Sequence, residues 1–348
     1  MSATTAAHGA PATQGAERAL RVGLIGLGSM GRHHARVIRA TPGMELVAVA
    51  DPGGDRFGVA GPLPLLPDVE ALIGAGIDAA VVAVPTIHHE EVALALARAG
   101  VHTLVEKPIA HCSRAGRRVA DAFAERDLVG AVGYVERCNP ALRALRERLD
   151  AGELGQVYQV LTRRQGPFPA RISDVGVVKD LATHDIDLTA WVADSRYTSI
   201  SAHVAHRSGR DNEDMVVAVG RLANGVIVSH VVNWLTPSKE RVTIVTGEKG
   251  AYVADTLTGD LTFYANGTVA TDWDQVAAFR GVSEGDVVRY AIEKREPLAL
   301  EQERFRDAVL AGAGAPGNEI VTMAEGVATL EVVEAVLASA AENRTVEL

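Results

Sequence analysis

Two cysteines, Cys112 and Cys138, stand in a chain of 348 residues. That is too few to staple a fold, so a disulfide scaffold is excluded and both thiols are expected to stay reduced. Long apolar runs are missing as well: none reaches the ~18 residues that a spanning helix needs, which argues against a membrane protein. The opening residues, MSATTAAHGAPATQGAER, lack a basic start followed by an apolar core and do not read as a secretory signal. Residues 1–19 are expected to form a disordered tail, and the protein to be cytoplasmic. Positive charge is in deficit, with 34 Lys and Arg against 44 Asp and Glu and a net charge of −10. The acids are spread along the chain, which argues for solubility and against a nucleic-acid-binding surface. No internal repeat and no low-complexity segment beyond the tail is visible. What is present is ordinary globular material, 47% hydrophobic and 22% charged, long enough for two domains at the usual ~100–200 residues each.

From Leu20 the apolar run LRVGLIGLG gives way to helical periodicity through Ala35, Val37 and Ile38, then to a second apolar run, MELVAVA, ending at Asp51. The alternation continues with a helix over VEALIG, a strand over IDAAVVAVP and a helix closed by Gly100. A strand ending in Pro108, a helix N-capped by Ser113 and the strand LVGAVGY follow. Unbroken apolar runs of this kind belong to parallel strands covered by helices on both faces. After Asn139 the texture changes. One helix opens with Pro140 in its first turn, and longer strands with polar alternation follow, separated by turn signals such as Asn224-Gly225, Gly247-Glu248 and Asn266-Gly267. They predict a largely antiparallel open sheet, with helices near residues 299–313 and 320–341 closing the chain. Two domains are expected, over residues 20–138 and 139–348.

Gly26-Leu27-Gly28-Ser29-Met30-Gly31 follows the first strand directly and opens the first helix. In that setting the first glycine makes the tight turn, the second lets backbone approach a pyrophosphate and the third permits close helix–strand packing. The helix N-terminus adds unpaired N–H groups for the phosphates. The fold class is therefore read as α/β, a Rossmann dinucleotide-binding domain followed by an α/β domain with a large, mostly antiparallel open sheet. Asp51, at the end of the second strand, suits the ribose hydroxyls and repels a 2′-phosphate, so NAD is expected over NADP, although Arg56 five residues on softens that preference.

Three further runs carry a family resemblance. Val84-Pro85-Thr86-Ile87-His88-His89, Glu106-Lys107-Pro108, and Asp180-Leu181-Ala182-Thr183-His184-Asp185-Ile186-Asp187 together resemble the Gfo/Idh/MocA oxidoreductases across nearly all of residues 20–348. The resemblance implies cofactor contacts from Pro85, Thr86, His88, Glu106 and Lys107, and a reacting carbon surrounded by Lys107, Asp180 and His184. It also implies that the open sheet mediates oligomerisation. The residues support the same assignment independently, since Lys107 falls at the carboxyl end of a parallel strand, where open α/β sheets place their ligands. Asp180 and His184 are spaced i, i+4 and share a face if the stretch is helical. His184 is the expected general base, with Lys107 orienting the hydroxyl and Asp180 binding substrate. Asp185 and Asp187 are expected to be structural. His33, His34, His88 and His89 offer no i, i+4 pair with a supporting carboxylate, so no metal is expected.

The runs around Tyr134, Glu136, Arg137 and Asn139, around Arg163, Arg164 and Arg171, and around Trp234 with Lys239 and Arg241 are similar to a branch of that family that oxidises UDP-N-acetylglucosamine at C3. Guanidinium forks suit a diphosphate, and Trp234 and Tyr134 suit stacking on a uracil or a sugar face. The competing reading pairs the arginines with nearby acids such as Glu136 and Asp174 and places Trp234 in the core. A small-molecule sugar or nucleotide-sugar substrate is thus expected. The alternatives are an inositol, a sugar phosphate or another secondary alcohol, and, in a different class, a non-catalytic NAD-binding sensor. A homodimer or homotetramer is expected through a sheet face carrying Val216, Val226 and Val228.

Overall fold

The apolar runs that begin at Leu20 pair as parallel strands. In the computed structural model, which describes residues 18–169, 175–267 and 284–348, β1 (Leu20–Ile25), α1 (Ser29–Ala40), β2 (Met44–Ala50), β3 (Leu65–Leu66), α2 (Val69–Gly74), β4 (Ala79–Val82), α3 (His89–Arg98), β5 (His102–Glu106), α4 (Ser113–Ala124) and β6 (Gly130–Gly133) follow one another. The six strands form one parallel sheet in the order β3-β2-β1-β4-β5-β6. All four residues of β4 are buried, as a strand covered on both faces must be. Of the expected tail, residues 1–17 lie outside the described residues, while Arg18 already donates to Asp78 Oδ2 at 3.2 Å. Ser113 is not the N-cap of α4. Cys112 takes that position, and the Ser113 N–H and Oγ donate instead to Glu334 at 2.8 and 2.6 Å.

The second sheet is built from β7 (Val157–Pro167), β8 (Tyr197–Ala205), β9 (Met215–Leu222), β10 (Ile227–Asn233), β11 (Leu235–Gly247), β12 (Gly250–Asp255), β13 (Asp260–Asn266), β14 (Glu284–Arg289) and β15 (Val346–Glu347). Its order is β14-β13-β12-β11-β7-β10-β9-β8-β15. Every pairing is antiparallel except β7 with β10. Helices α5 (Pro140–Asp150), α6 (Thr183–Val192) and α8 (Met323–Glu342) pack on this sheet at β12–β13, β7 and β8 respectively. Asn139 caps α5, its Oδ1 accepting the Ala141 N–H at 3.0 Å, with Pro140 in the first turn.

The other face of the sheet carries exposed apolar residues, and their identity corrects the expectation. Val216, Val226 and Val228 are buried, whereas Val217, Val219 and Ile227 are 41, 51 and 40% exposed. Strand side chains alternate, so a misjudged parity of one residue exchanges the two faces completely. The chain then returns to the first sheet. Helix α7 (Pro297–Ala311) packs on α1, and α8 packs on α4 and β6 as well as on β8. The Val132 N–H to Val321 O bond, at 2.9 Å, stitches the return.

Candidate active site

Strand order reverses between β1 and β4, and their carboxyl ends open a crevice of the kind in which α/β sheets bind ligands. Gly26 lines it with a φ of +93°, and a Cβ there would stand 2.5 Å from the Ala83 carbonyl. At Gly31 a Cβ would stand 1.9 Å from Gly26 O, whereas at Gly28 it would meet nothing within 4 Å. The backbone at Gly28 is therefore open to close approach while its two partners hold helix and strand together. Helix α1 starts with no side-chain cap and no acidic residue in its first turn, so the N–H groups around half-buried Ser29 and Met30 face outward for an anion. These residues fit a dinucleotide pyrophosphate. Asp51 accepts the Leu27 N–H on Oδ2 and the Gly53 N–H on Oδ1, both at 2.7 Å. It thereby stiffens the glycine turn and keeps lone pairs for ribose hydroxyls. Pro85 and His88 are exposed and Thr86 is half-buried on the short turn between β4 and α3.

Strand β5 ends at Glu106 and delivers Lys107 to the rim of the same crevice. Its Nζ donates to the Asp180 carbonyl at 2.8 Å and to Asp180 Oδ1 at 3.1 Å. The stretch before α6 is not the regular helix on which the i, i+4 reading rested. Residues Val178–Ala182 form a π-helical turn, and α6 begins at Thr183. Such turns are rare and recur at functional sites because they aim side chains that a regular helix would not. Glu213 pins this one, its Oε1 accepting the Val178 N–H at 3.0 Å and its carbonyl the Val177 N–H at 2.9 Å. Asp180 is buried, and its Oδ2 has no hydrogen-bond partner among the described residues. His184 follows one turn later with the Tyr134 ring edge-on at 6.1 Å.

Tyr134, expected as a stacking platform, is instead fully buried with its hydroxyl 2.9 Å from Thr183 Oγ1. Burial pushes the phenol up, so the ring supports His184 as a neutral wall. Glu106 is held internally through its side chain. Its carboxylate is buried, accepting from His34 Nε2 at 2.8 Å and from the Lys107 N–H at 3.2 Å.

Among the described residues, Arg137, Arg163 and Arg164 are each engaged by carboxylates of the chain. Arg164 is fully enclosed, donating to Asp185 at 2.9 Å and Glu136 at 2.7 Å. Burial opposes its charge, yet those two carboxylates raise its pKa and keep it ionised. Arg137 grips Asp187 with two bonds, at 2.9 and 2.7 Å, and Glu325 with a third at 2.7 Å. Arg163 lies on the opposite, outer face, paired with Glu240 at 2.7 Å. Asn139 spends its amide on the Thr256 carbonyl at 3.0 Å. Trp234 is buried with Phe168 edge-on at 5.3 Å and Arg210 over the pair. Arg171 lies outside the described residues.

Among the described residues, Arg241 takes no part in these pairings. Arg241 on β11 sits opposite Arg164 on β7, hence on the same inner face, yet its Nη1 is buried with no partner among the described residues. Burial and the neighbouring Arg164 lower its pKa, against the pull of Glu136, Asp185 and Asp180. In the sequence Arg241 is only one of several loop cations. The signal that marks it is the register with Arg164, which no local pattern carries.

Residues 20–134 match a family model described as an oxidoreductase family with an NAD-binding Rossmann fold, and residues 142–253 match the GFO/IDH/MocA C-terminal domain. Over 295 residues, 84% of this chain and 89% of the relative, the sequence is 31% identical to UDP-N-acetylglucosamine 3-dehydrogenase of Acidithiobacillus ferrooxidans. The solved structure of that enzyme superposes with a TM-score of 0.77 at 27% identity, covering 92% of this chain and 97% of the other. An inositol 2-dehydrogenase of Saccharopolyspora erythraea is 33% identical over 227 residues, 60% of this chain and 65% of the relative. The NAD complex of GenD2 from gentamicin A biosynthesis aligns with a TM-score of 0.77 at 25% identity, over 98% of this chain and 99% of that one. With its open glycine turn at the head of α1 and a strand-end lysine facing a buried aspartate of the second domain, the chain belongs to the Gfo/Idh/MocA oxidoreductases and uses NAD as its dinucleotide.

Proposed function

We propose that the protein oxidises a secondary hydroxyl of a nucleotide sugar such as UDP-N-acetylglucosamine, at C3, to a ketone. The observation that carries the chemistry is the Lys107 Nζ contact with the backbone carbonyl and the Oδ1 of Asp180. It fixes an ammonium beside a carboxylate that keeps one free oxygen, at the carboxyl edge of the nucleotide-binding sheet. NAD supplies the hydride acceptor. In this reading Lys107 orients the reacting hydroxyl and stabilises negative charge on its oxygen. Asp180 Oδ2 accepts a neighbouring hydroxyl, and His184 takes the proton. Similarity along most of both chains to a UDP-N-acetylglucosamine 3-dehydrogenase supports the substrate.

A second reading, oxidation of an inositol or a sugar phosphate, is favoured by a specific observation: Arg137 and Arg164 are committed to internal carboxylates, so fewer cations face a diphosphate. A non-catalytic sensor would have no use for Lys107, Asp180 and His184 together. The deciding experiment is NADH formation with UDP-N-acetylglucosamine, myo-inositol and glucose 6-phosphate. Turnover of the nucleotide sugar that vanishes in Lys107→Ala supports the first reading, and turnover confined to a cyclitol or sugar phosphate replaces it with the second. We further propose a cytoplasmic homodimer or homotetramer assembled through the exposed sheet face around Val217, Val219 and Ile227. No helix among the described residues is long and apolar enough to cross a membrane.

A further inference from the structure

Four histidines lie beside the glycine turn and the turn after β4, and the reaction as proposed needs none of them. His33 is half-buried and His88 exposed, but His34 and His89 are almost completely enclosed. The two enclosed rings converge on one place. His34, on α1, places Nε2 2.8 Å from Glu106 Oε1 and receives the Gln302 amide of α7 on Nδ1 at 3.0 Å. The other oxygen of Glu106 accepts the Lys107 N–H. His89, the first residue of α3, lies with Nδ1 2.8 Å from Pro108 O and Nε2 3.0 Å from Val84 O. Thus the residue before Lys107, the amide of Lys107 and the carbonyl after it are all held, directly or through Glu106, by one imidazole or the other. His89 stands between that turn and Val84, where the turn bearing Pro85 and Thr86 begins, and its one ring proton can serve either carbonyl.

We propose that His34 and His89 are positioning residues for Lys107, bracing its strand-end turn from both sides, with His89 seated between it and the adjacent cofactor-side turn. The proposal rests on the reading of Lys107 as the residue that orients the reacting hydroxyl. A lysine reaches its target over four rotatable bonds, so the precision of Nζ depends on how firmly its backbone is seated. A shift of about 1 Å at a reacting group costs on the order of a hundredfold in rate. A neutral imidazole carries one ring proton, so His34 donates from Nε2 to Glu106 and His89 donates to one of its two carbonyl neighbours, Pro108 O in buried surroundings or the partly buried Val84 O. Releasing these bonds would therefore loosen the turn instead of exchanging one partner for solvent.

The test compares His34→Leu and His89→Leu, which keep bulk but no polar atom, with His34→Gln and His89→Gln, which restore a donor. His230→Gln serves as control, an equally buried histidine bonded to Thr162 and Tyr197 in the second domain. Two readouts are taken on the full-length, NAD-loaded protein: kcat and KM on whichever of the three panel substrates turns over, and hydrogen exchange of residues 84–89 and 105–110. The leucine variants are expected to lose at least about tenfold in kcat with KM within about threefold, and to exchange at least about tenfold faster in both segments. The glutamine variants are expected to recover part of each, and His230→Gln to change neither. Leucine variants that bind NAD but show unchanged exchange in both segments would overturn the brace, as would loss shared equally by His230→Gln. If the leucine variants do not fold, the glutamine pair decides, because intermediate exchange supports the brace and native exchange with native kcat refutes it. If no panel substrate is oxidised by the unmodified protein, the functional reading fails and the exchange measurement still judges the brace.

Discussion

Arg164 and Arg241 face each other across two strands in opposite circumstances. Arg164 is enclosed between Asp185 and Glu136, and removing one member of such a pair strands the others in a dry place, at a cost of about 3–5 kcal/mol. Arg164→Gln is therefore expected to lower the melting temperature sharply and to reduce activity through misfolding. Arg241 keeps an Nη1 without a partner among the described residues, within the field of Asp185 and Asp180. Arg241→Gln is expected to leave the melting temperature within a few degrees and to raise KM by about tenfold, since a lost hydrogen bond from a charged donor is worth about 1.5–3 kcal/mol. Steady-state kinetics beside a melting curve separates the two, and an unchanged KM in Arg241→Gln would remove this residue from the substrate site. Residue type and spacing could mark an arginine-rich region. Which guanidinium is spent and which is spare depends on acids from α6 and on residue 136, brought together only by folding.

At the scale of the element, the glycine turn and the π-helical turn differ in how far local sequence specifies them. The turn at residues 26–31 demands three glycines for three separate steric reasons, two of which are visible as would-be contacts of 2.5 and 1.9 Å. Gly31→Ala is expected to push α1 away from the turn and weaken NADH binding by at least about tenfold, because the phosphate-facing N–H groups move with the helix. NADH fluorescence titration measures this. Gly28→Ala, whose Cβ would meet no protein atom, is expected to fold normally and lose affinity only through the ligand. The π-helical turn has no such signature. Its spacing reads as ordinary helix, and it is held by tertiary contacts, among them Glu213, 33 residues beyond Asp180, Lys107 at the end of β5, and the Lys179 bond to the His111 carbonyl.

At the scale of the molecule, buried histidines make stability depend on pH. Burial lowers His230 from 6.5 to about 4, and His89 is lowered in the same direction for the same reason. The folded protein keeps His230 neutral while the unfolded chain takes up a proton below its own pKa. Its contribution is therefore complete above pH 6.5 and is lost as pH falls from 6.5 towards 4, by on the order of 3 kcal/mol in all. Urea unfolding of the native protein is expected to weaken over that window, and His230→Gln to flatten the decline in proportion. Glu301 acts with the opposite sign, since burial and repulsion from Glu106 raise its pKa, so Glu301→Gln is expected to stabilise the protein at neutral pH more than at pH near 4. The exposed apolar face belongs to this scale too. Val219→Lys is expected to shift the assembly towards monomer in light scattering without changing the fold, because one charge placed among apolar neighbours opposes burial of that face.

The element order, the parallel first sheet, the mostly antiparallel second one and the dinucleotide turn were determined by sequence alone, because each rests on local periodicity or on glycines whose steric demands act within a few residues. Lys107 at a strand end was legible for the same reason, whereas its grouping with Asp180 and His184 came from the resemblance of the three motifs to one family, and folding brings Lys107 to Asp180. The tertiary structure decided which strand face is exposed, where an error of one residue reverses the answer, and which charges are spent, since ion pairing depends on distant partners, such as Arg137 with Glu325, 188 residues apart. It also decided the work of His34 and His89. Neither histidine has a periodic signature of its own, and its meaning appears only when two helices and a strand end place the rings against Glu106 and Pro108, the residues on either side of Lys107.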